Sequence, residues 1–446
     1  MPGNTTKTST PVRRRSRPLF DIVGNGSTPV RELIAGLSMF LATAYTVVVI
    51  PGMLEDAGLP VAAITTCVIT VIILGTAAMG VFGNLPMVLA PGLGGVSLVA
   101  YTLVLDGQIE YPVAMGMVFW SGVVFLLLTL FGIRSLVTRI IPASIRLAIG
   151  PAIGLFIAFV GFRSAGLVVP GKSSLKLGDL GSPAALLTLA AVVVLIALVA
   201  RRVPGAFIIV IVAATLVGIP LGLTQLHGSA FSLPQFDGSL LFHIDLVTSL
   251  SPHYLPYLFA FFASEFFSTT GVIMTVTDHL GRAKHPGSPA LVDPKRAFLV
   301  DSSTIIGGSL FGAPSVTTYA ESTAGAEAGG RTGASSLWTA ACFLVLLFAT
   351  PLAAAIPAAA TAPVVIVVGL KILSGFRRIS TDDLTELIPA AMVLACTIFW
   401  GNFGTGIAAG LLCFVLVKVL AGKWRDVHPG MWVMAPFLVY FFIAVA

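Results

Sequence analysis

Ala90-Pro91-Gly92-Leu93-Gly94-Gly95-Val96-Ser97 interrupts an apolar run that extends from residue 85 to residue 105. A run of that length can cross a bilayer as a helix. Pro91, however, deletes a backbone donor, and three glycines weaken helix propagation. The pattern predicts a short extended segment followed by a half-helix. The same device returns later in the chain, at Gly312-Ala313-Pro314-Ser315-Val316-Thr317-Thr318. Extended backbone at membrane depth is tolerated only where it is buried in protein or lines a polar cavity. Taken singly, either segment reads equally well as a surface for close helix packing. Two breaks at corresponding places in the two halves favour a solute site near the midplane, where half-helix N-termini offer N–H groups.

The surroundings of both breaks are membrane-like. Of 446 residues, 57% are hydrophobic and 10% charged, and the mean hydropathy is +1.00. No soluble domain hides that much apolar surface, so the class is an all-α polytopic membrane protein. Apolar runs lie at 31–50, 61–81, 85–105, 113–132, 143–162, 184–200 and 205–222. After a polar stretch at 223–253 come 254–277, 296–311, 314–328, 334–354, 360–374, 386–401 and 403–420, with a last short run at 430–446. If residues 1–30 form a disordered cytoplasmic tail and each run crosses once, all but Arg163, Lys172 and Lys176 of the 25 Lys and Arg fall on the cytoplasmic side. That asymmetry is what the positive-inside rule requires and supports seven plus seven spans. The run Arg13 to Arg17 reads as an orientation signal rather than a nucleic-acid site.

The halves echo each other. Phe82-Gly-Asn-Leu-Pro86 resembles Phe311-Gly-Ala-Pro314, and Ile141-Pro-Ala143 resembles Ile356-Pro-Ala358. Seven is odd, so the second unit sits inverted relative to the first, a pattern of transporters.

Two acids stand in this apolar frame. Glu265 occupies Tyr257-Leu-Phe-Ala-Phe-Phe-Ala-Ser-Glu265-Phe-Phe-Ser-Thr-Thr-Gly271, and Glu321 follows the second break. An ionisable group at bilayer depth costs at least ~2.5 kcal/mol, so it normally faces a cavity or a partner and marks a solute or proton path. Ionised, such a carboxylate accepts hydrogen bonds from the N–H groups of a polar heterocycle; protonated, it carries a coupled proton. Ser268, Thr269 and Thr270 lie one turn beyond Glu265, and Ser315, Thr317 and Thr318 belong to the second break; all can offer hydroxyls. A bland alternative for each acid is a carboxylate bonded only to neighbouring helices. Asp301, five residues past Arg296, reads as a cap or salt-bridge partner at a span entrance, and Arg331 as a cytoplasmic turn and anchor. Phe261, Phe262, Phe266 and Phe267 read mainly as packing, with one ring able to stack on a planar ligand. The cysteines and histidines show no metal-ligand spacing, and no nucleophile–base pair appears, so no cofactor, metal or enzymatic activity is expected.

At these residues the chain resembles the AzgA-like purine permeases of the nucleobase–cation symporter superfamily, relatives of the uracil and xanthine permeases. The matching stretches are Ala35-Gly-Leu-Ser-Met-Phe-Leu-Ala-Thr-Ala-Tyr45, Glu55-Asp-Ala-Gly-Leu-Pro60, Asn84-Leu-Pro86, Ala90-Pro-Gly92 with Ala100-Tyr-Thr102, Thr317-Thr-Tyr-Ala-Glu-Ser322, Gly329-Gly-Arg-Thr-Gly333 and Ala360-Thr-Ala-Pro363. The resemblance implies fourteen spans, a core domain at 31–132 and 254–354, and a gate domain at 133–222 and 355–422. Residues 223–253 become an extracellular loop and 423–446 a C-terminal hydrophobic segment. It further implies a homodimer in the cell membrane and elevator-like movement of core against gate. Glu265 and Glu321 align with the family's substrate-binding acids of the eighth and tenth spans.

The chain departs from that family at three places. Ile50 stands where the family has an Asn, Val96-Ser97-Leu98-Val99 where it has Asn-Ala-Phe-Phe, and Ser268 where it has a second acid. An amide and a stacking ring are thereby lost, which leaves the substrate class as a nucleobase or nucleobase-like heterocycle.

The expectation is a proton symporter in which Glu265 and Glu321 bind the base. The backbone at Gly95, Val96, Ser97, Ser315, Val316 and Thr317 completes the site, and Glu265, Ser268 and Glu321 serve proton coupling; sodium is an alternative coupling ion. The rival reading is a small-anion transporter or channel on the same fold, against which two carboxylates argue.

Overall fold

A computed structural model describes residues 20–132, 140–170, 175–224, 231–282, 294–379, 382–399 and 403–445. Most of the expected N-terminal tail, with Arg13 to Arg17, lies outside the described residues, as do Arg134, Arg139 and Lys172 and the side chain of Ser268.

Apolar sequence forms helix almost everywhere. The first half contains α1 Pro29–Thr43, α2 Thr46–Asp56, α3 Val61–Ala78, α4 Leu93–Ser97, α5 Tyr111–Leu130, α6 Ala143–Ser164, α7 Pro183–Ala200 and α8 Ala206–Gly218. The second contains α9 Leu255–Arg282, α10 Pro294–Leu310, α11 Ser322–Glu327, α12 Gly333–Leu347, α13 Thr350–Ala354, α14 Ala358–Leu373, α15 Leu384–Phe399, α16 Phe403–Leu420 and α17 Pro429–Val445. Helix α3 runs on as widened π turns over Met79–Gly83, and α4 does so over Leu98–Asp106. Among the described residues six helices are long and apolar enough to cross a membrane: Pro29–Asp56, Val61–Gly83, Tyr111–Leu130, Ala143–Ser164, Pro183–Ala200 and Ala358–Arg377.

Both interrupted stretches are extended where Pro and Gly predict it. β1 is Leu89–Pro91 and β4 is Val316–Thr318. Each is preceded by a left-handed residue at the echoed Phe-Gly motif: Asn84, just after Phe82-Gly83, at φ 49°, and Gly312, within Phe311-Gly312, at φ 73°. One pair of strands has no counterpart in the sequence reading: β2 Val168–Pro170 and β3 Leu175–Leu177 form a small antiparallel hairpin after α6.

The helices pack in two groups. In one, α5 lies on α10 and α9, and α12 lies on α1 and α3. In the other, α6 lies on α14 and α15, with α7 and α8 also against α14. The α6–α14 contact is close because each helix presents a glycine to the other's backbone. A Cβ on Gly154 would stand 2.5 Å from the Gly369 carbonyl, and one on Gly369 would stand 2.4 Å from that of Gly154. Small residues of this kind let helix backbones approach in a membrane, where lipid offers no hydrophobic drive to association.

Candidate functional site

The two breaks meet. β1 pairs antiparallel with β4 in the register Leu89↔Thr318, Ala90↔Thr317 and Pro91↔Val316. A two-stranded ladder cannot satisfy all of its own backbone, so side chains complete it. The Met87 N–H donates to Ser336 Oγ at 2.9 Å and the Val88 N–H to Ser322 Oγ at 3.0 Å. The Leu89 N–H donates to Thr76 Oγ1 at 3.1 Å. Beyond the ladder, the Gly92 N–H donates to the Ser315 carbonyl at 2.8 Å and the Tyr319 N–H to that of Val88 at 3.0 Å. The Tyr319 hydroxyl donates to the Pro91 carbonyl at 2.5 Å.

Glu265 reaches this crossing from α9. Its side chain is 3% exposed. Oε1 accepts a short hydrogen bond from the Ser315 hydroxyl, while Oε2 is buried with no hydrogen-bond partner. The Thr317 hydroxyl stands beside the carboxylate, but its hydrogen bond is shared with Thr269 Oγ1. Ser315 adopts φ 60°, a left-handed conformation that a non-glycine residue takes up only under local constraint. Gly95 makes the approach possible from the other break. A Cβ there would lie 1.8 Å from Ser315 Oγ and 2.8 Å from Glu265 Oε1. No larger residue fits without moving Ser315.

Asp301 was expected as a cap near a span entrance; it is instead fully buried at the crossing. Its Oδ1 accepts from the Thr318 N–H at 2.8 Å and from the Thr318 hydroxyl at 2.7 Å, which fixes the end of β4. Proximity to Arg296 in sequence points to a span entrance, but the packing of α10 carries Asp301 inward to the strand pair. The informative signal was an acid between Val300 and Ser302 on a mostly apolar helix.

Glu321 lies at the N-terminal end of α11, half-buried, and Tyr45 at the junction of α1 and α2 donates its hydroxyl to Oε1 at 3.3 Å. Tyr319 lies close enough to interact electrostatically with both Glu265 and Glu321.

The site residues named from the sequence fall into two sets. Gly95, Ser315, Thr317 and Glu265 converge, as does Thr269. Ser97 turns back, its hydroxyl donating to the Gly94 carbonyl at 2.8 Å, and Val96 and Val316 are fully buried. Thr270 likewise bonds the Phe266 carbonyl of its own helix. Of the phenylalanines named, Phe261 and Phe266 are fully buried and Phe262 is buried, and the Phe266 ring packs on Phe125 and Phe262; the side chain of Phe267 lies outside the described residues.

One pair of broken segments, crossing beside a buried acid in a helical apolar frame, is the arrangement of a membrane transporter rather than of an enzyme. Among solved structures, the transmembrane domain of the cyanobacterial bicarbonate transporter BicA superposes with a TM-score of 0.60. The match covers 85% of this chain and 97% of that one at 18% identity, a likeness of fold alone. The Permease family model (Xan_ur_permease) matches residues 30–411, and the chain belongs to that family. It is similar to the adenine permease AdeQ of Escherichia coli, 35% identical with 92% of each chain covered. It is also similar to the guanine/hypoxanthine permease PbuO of Bacillus subtilis, 34% identical, covering 95% of this chain and 99% of that one.

Proposed function

We propose that this permease imports a nucleobase, a purine or a close heterocyclic analogue, by proton symport. The observation that carries the reading is Glu265 Oε2: a carboxylate oxygen buried beside two broken backbones with nothing bonded to it. Leaving a buried acceptor unmade costs about 1–3 kcal/mol. That cost is consistent with a group held ready for a ligand N–H or a proton. The functions named for AdeQ and PbuO, adenine and guanine/hypoxanthine transport, point to the same substrate class.

In this reading Glu265 binds the base and Glu321 contributes a second carboxylate, oriented by Tyr45. The Gly95–Ser97 and Ser315–Thr317 backbones frame the ligand, and proton coupling runs through Glu265, Ser268 and Glu321. The chain spans the cell membrane fourteen times as an inverted seven-plus-seven repeat, with its N-terminus cytoplasmic. The two packing groups act as core and gate, the core moving against the gate of a homodimer in elevator fashion. The basic-residue asymmetry and the two packing groups support this arrangement.

Uptake of radiolabelled adenine, guanine and hypoxanthine into proteoliposomes, with and without an imposed proton or sodium gradient, tests the reading. Uptake is expected to follow the proton gradient and to be lost in Glu265→Gln and Glu321→Gln. Normal uptake in both variants would end the assignment of the acids. Dependence on sodium alone would replace the coupling ion.

A further inference from the structure

The widened turns that continue α4 end at Asp106, and the last turn of α6 ends at Ser164. Between them lies a cavity of about 350 Å³, within the size range of small-molecule sites. Its polar lining comes from three helices: Asp56 from α2, Tyr101 and Asp106 from the turns that continue α4, and Arg163 and Ser164 from α6. The Tyr101 hydroxyl donates to Asp56 Oδ2 at 2.8 Å and so fixes that carboxylate at the rim. Arg163 faces two acids across the cavity yet closes no ion pair among the described residues. Opposite charges that line one hollow without touching present a guanidinium fork, carboxylate acceptors and an aromatic ring to whatever enters.

This hollow continues inward. Asp56, Tyr101 and Ser164 also line a narrower cleft that follows α2 down to Val47 and is closed on its far side by α14. From Asp56 to Val47 the helix rises roughly 14 Å. Two residues further, Tyr45 holds Glu321. The lining residues thus run from the rim to Val47, two positions from the tyrosine that holds Glu321. Arg163 is one of the few basic residues that the orientation of the chain leaves on the outer side.

We propose that this rim cavity is a separate reception site, in which a neutral planar heterocycle is held before it passes along α2 to Glu265. Arg163 donates to ring or carbonyl acceptors, Asp106 and the unbridged oxygen of Asp56 accept from ring or exocyclic N–H groups, and Tyr101 offers its ring. The ligand class rests on the nucleobase reading above; the location does not.

The test uses the full chain in detergent, where both faces are open to reagent. Ser164→Cys, an exposed position, is labelled with a polar maleimide in the presence or absence of adenine, guanine or hypoxanthine. At a base concentration near twice its Kd, labelling is expected to slow about three-fold. The same protection is expected in Ser164→Cys combined with Glu265→Gln, and it is lost when Arg163→Ala is added. Equal labelling rates with and without base, in protein whose uptake is intact, overturn the reception site and leave the transport reading standing. Protection that vanishes with Glu265→Gln assigns the effect to the inner site and also overturns the proposal. Absence of both uptake and protection overturns the nucleobase reading and the ligand class with it.

Discussion

Glu32 and Glu265 are two carboxylates buried in apolar helices, and they are treated in opposite ways. Glu32, in the first turn of α1, is fully buried with both carboxylate oxygens hydrogen-bonded. Its Oε1 accepts from the Arg331 N–H at 2.9 Å, and its Oε2 from the N–H of Ser335 at 3.2 Å and from the Ser335 hydroxyl. It bolts α1 to the start of α12. Glu265 has one oxygen occupied and one open. Under the proposed function the difference separates a structural acid from a substrate-binding one: burial alone does not distinguish these two, whereas the unbonded Oε2 of Glu265 does.

Substitution sharpens that contrast. Glu265→Gln keeps the shape and removes the charge and a proton carrier. Uptake should fall by at least about a hundred-fold, some 2.7 kcal/mol, with little change in thermal unfolding in detergent. Glu32→Gln should do the reverse. Replacing one acceptor oxygen by a donor leaves a buried N–H group unpaired, at a cost of about 1–3 kcal/mol in stability. Transport per folded molecule should stay near wild type. If Glu32→Gln stopped transport by folded protein while Glu265→Gln spared it, the distinction would be reversed.

A smaller effect is expected from the glycine that faces the open acid. Gly95→Ala forces a Cβ against Ser315 and should destabilise by roughly 1–3 kcal/mol while weakening substrate binding. Combining it with Ser315→Gly should recover stability but not uptake, because the hydroxyl that positions Glu265 is gone. Full recovery of both would show that Ser315 serves only packing.

The smallest effect belongs to an exposed acid. The Thr385 hydroxyl, the Lys423 ammonium and the Thr385 N–H hold the Asp383 carboxyl well below its usual value near 3.8. A depressed carboxylate adds stability above its ordinary pKa and loses it as pH falls toward the folded value. Wild type and Asp383→Asn should therefore differ slightly in unfolding temperature at neutral pH and converge below about pH 4. A gap that widened on acidification would contradict this.

The fold was most legible where local chemistry dictates it. Pro91 and Pro314, with their glycines, forbid continuous helix, and the extended segments fall there. Glu265 was legible because no apolar helix carries an acid without reason. The partners were not legible. Nothing local shows that Ser315 would turn to Glu265, that Asp301 would hold Thr318, or that Glu32 would meet Ser335, 303 residues away. Those pairings depend on how the helices cross, which hydropathy does not encode. The β2–β3 hairpin leaves no signal in the sequence because three-residue strands are too short to show a period.

The Val88 amide finds its acceptor in Ser322, 234 positions further along the chain. A nascent molecule therefore carries an open stretch of polar backbone in lipid, or against some temporary guardian, until translation of the later half is nearly done. Fragments ending before Ser322 should be unusually good clients for membrane insertases and quality-control proteases. Separately expressed halves should survive mainly when they are made together.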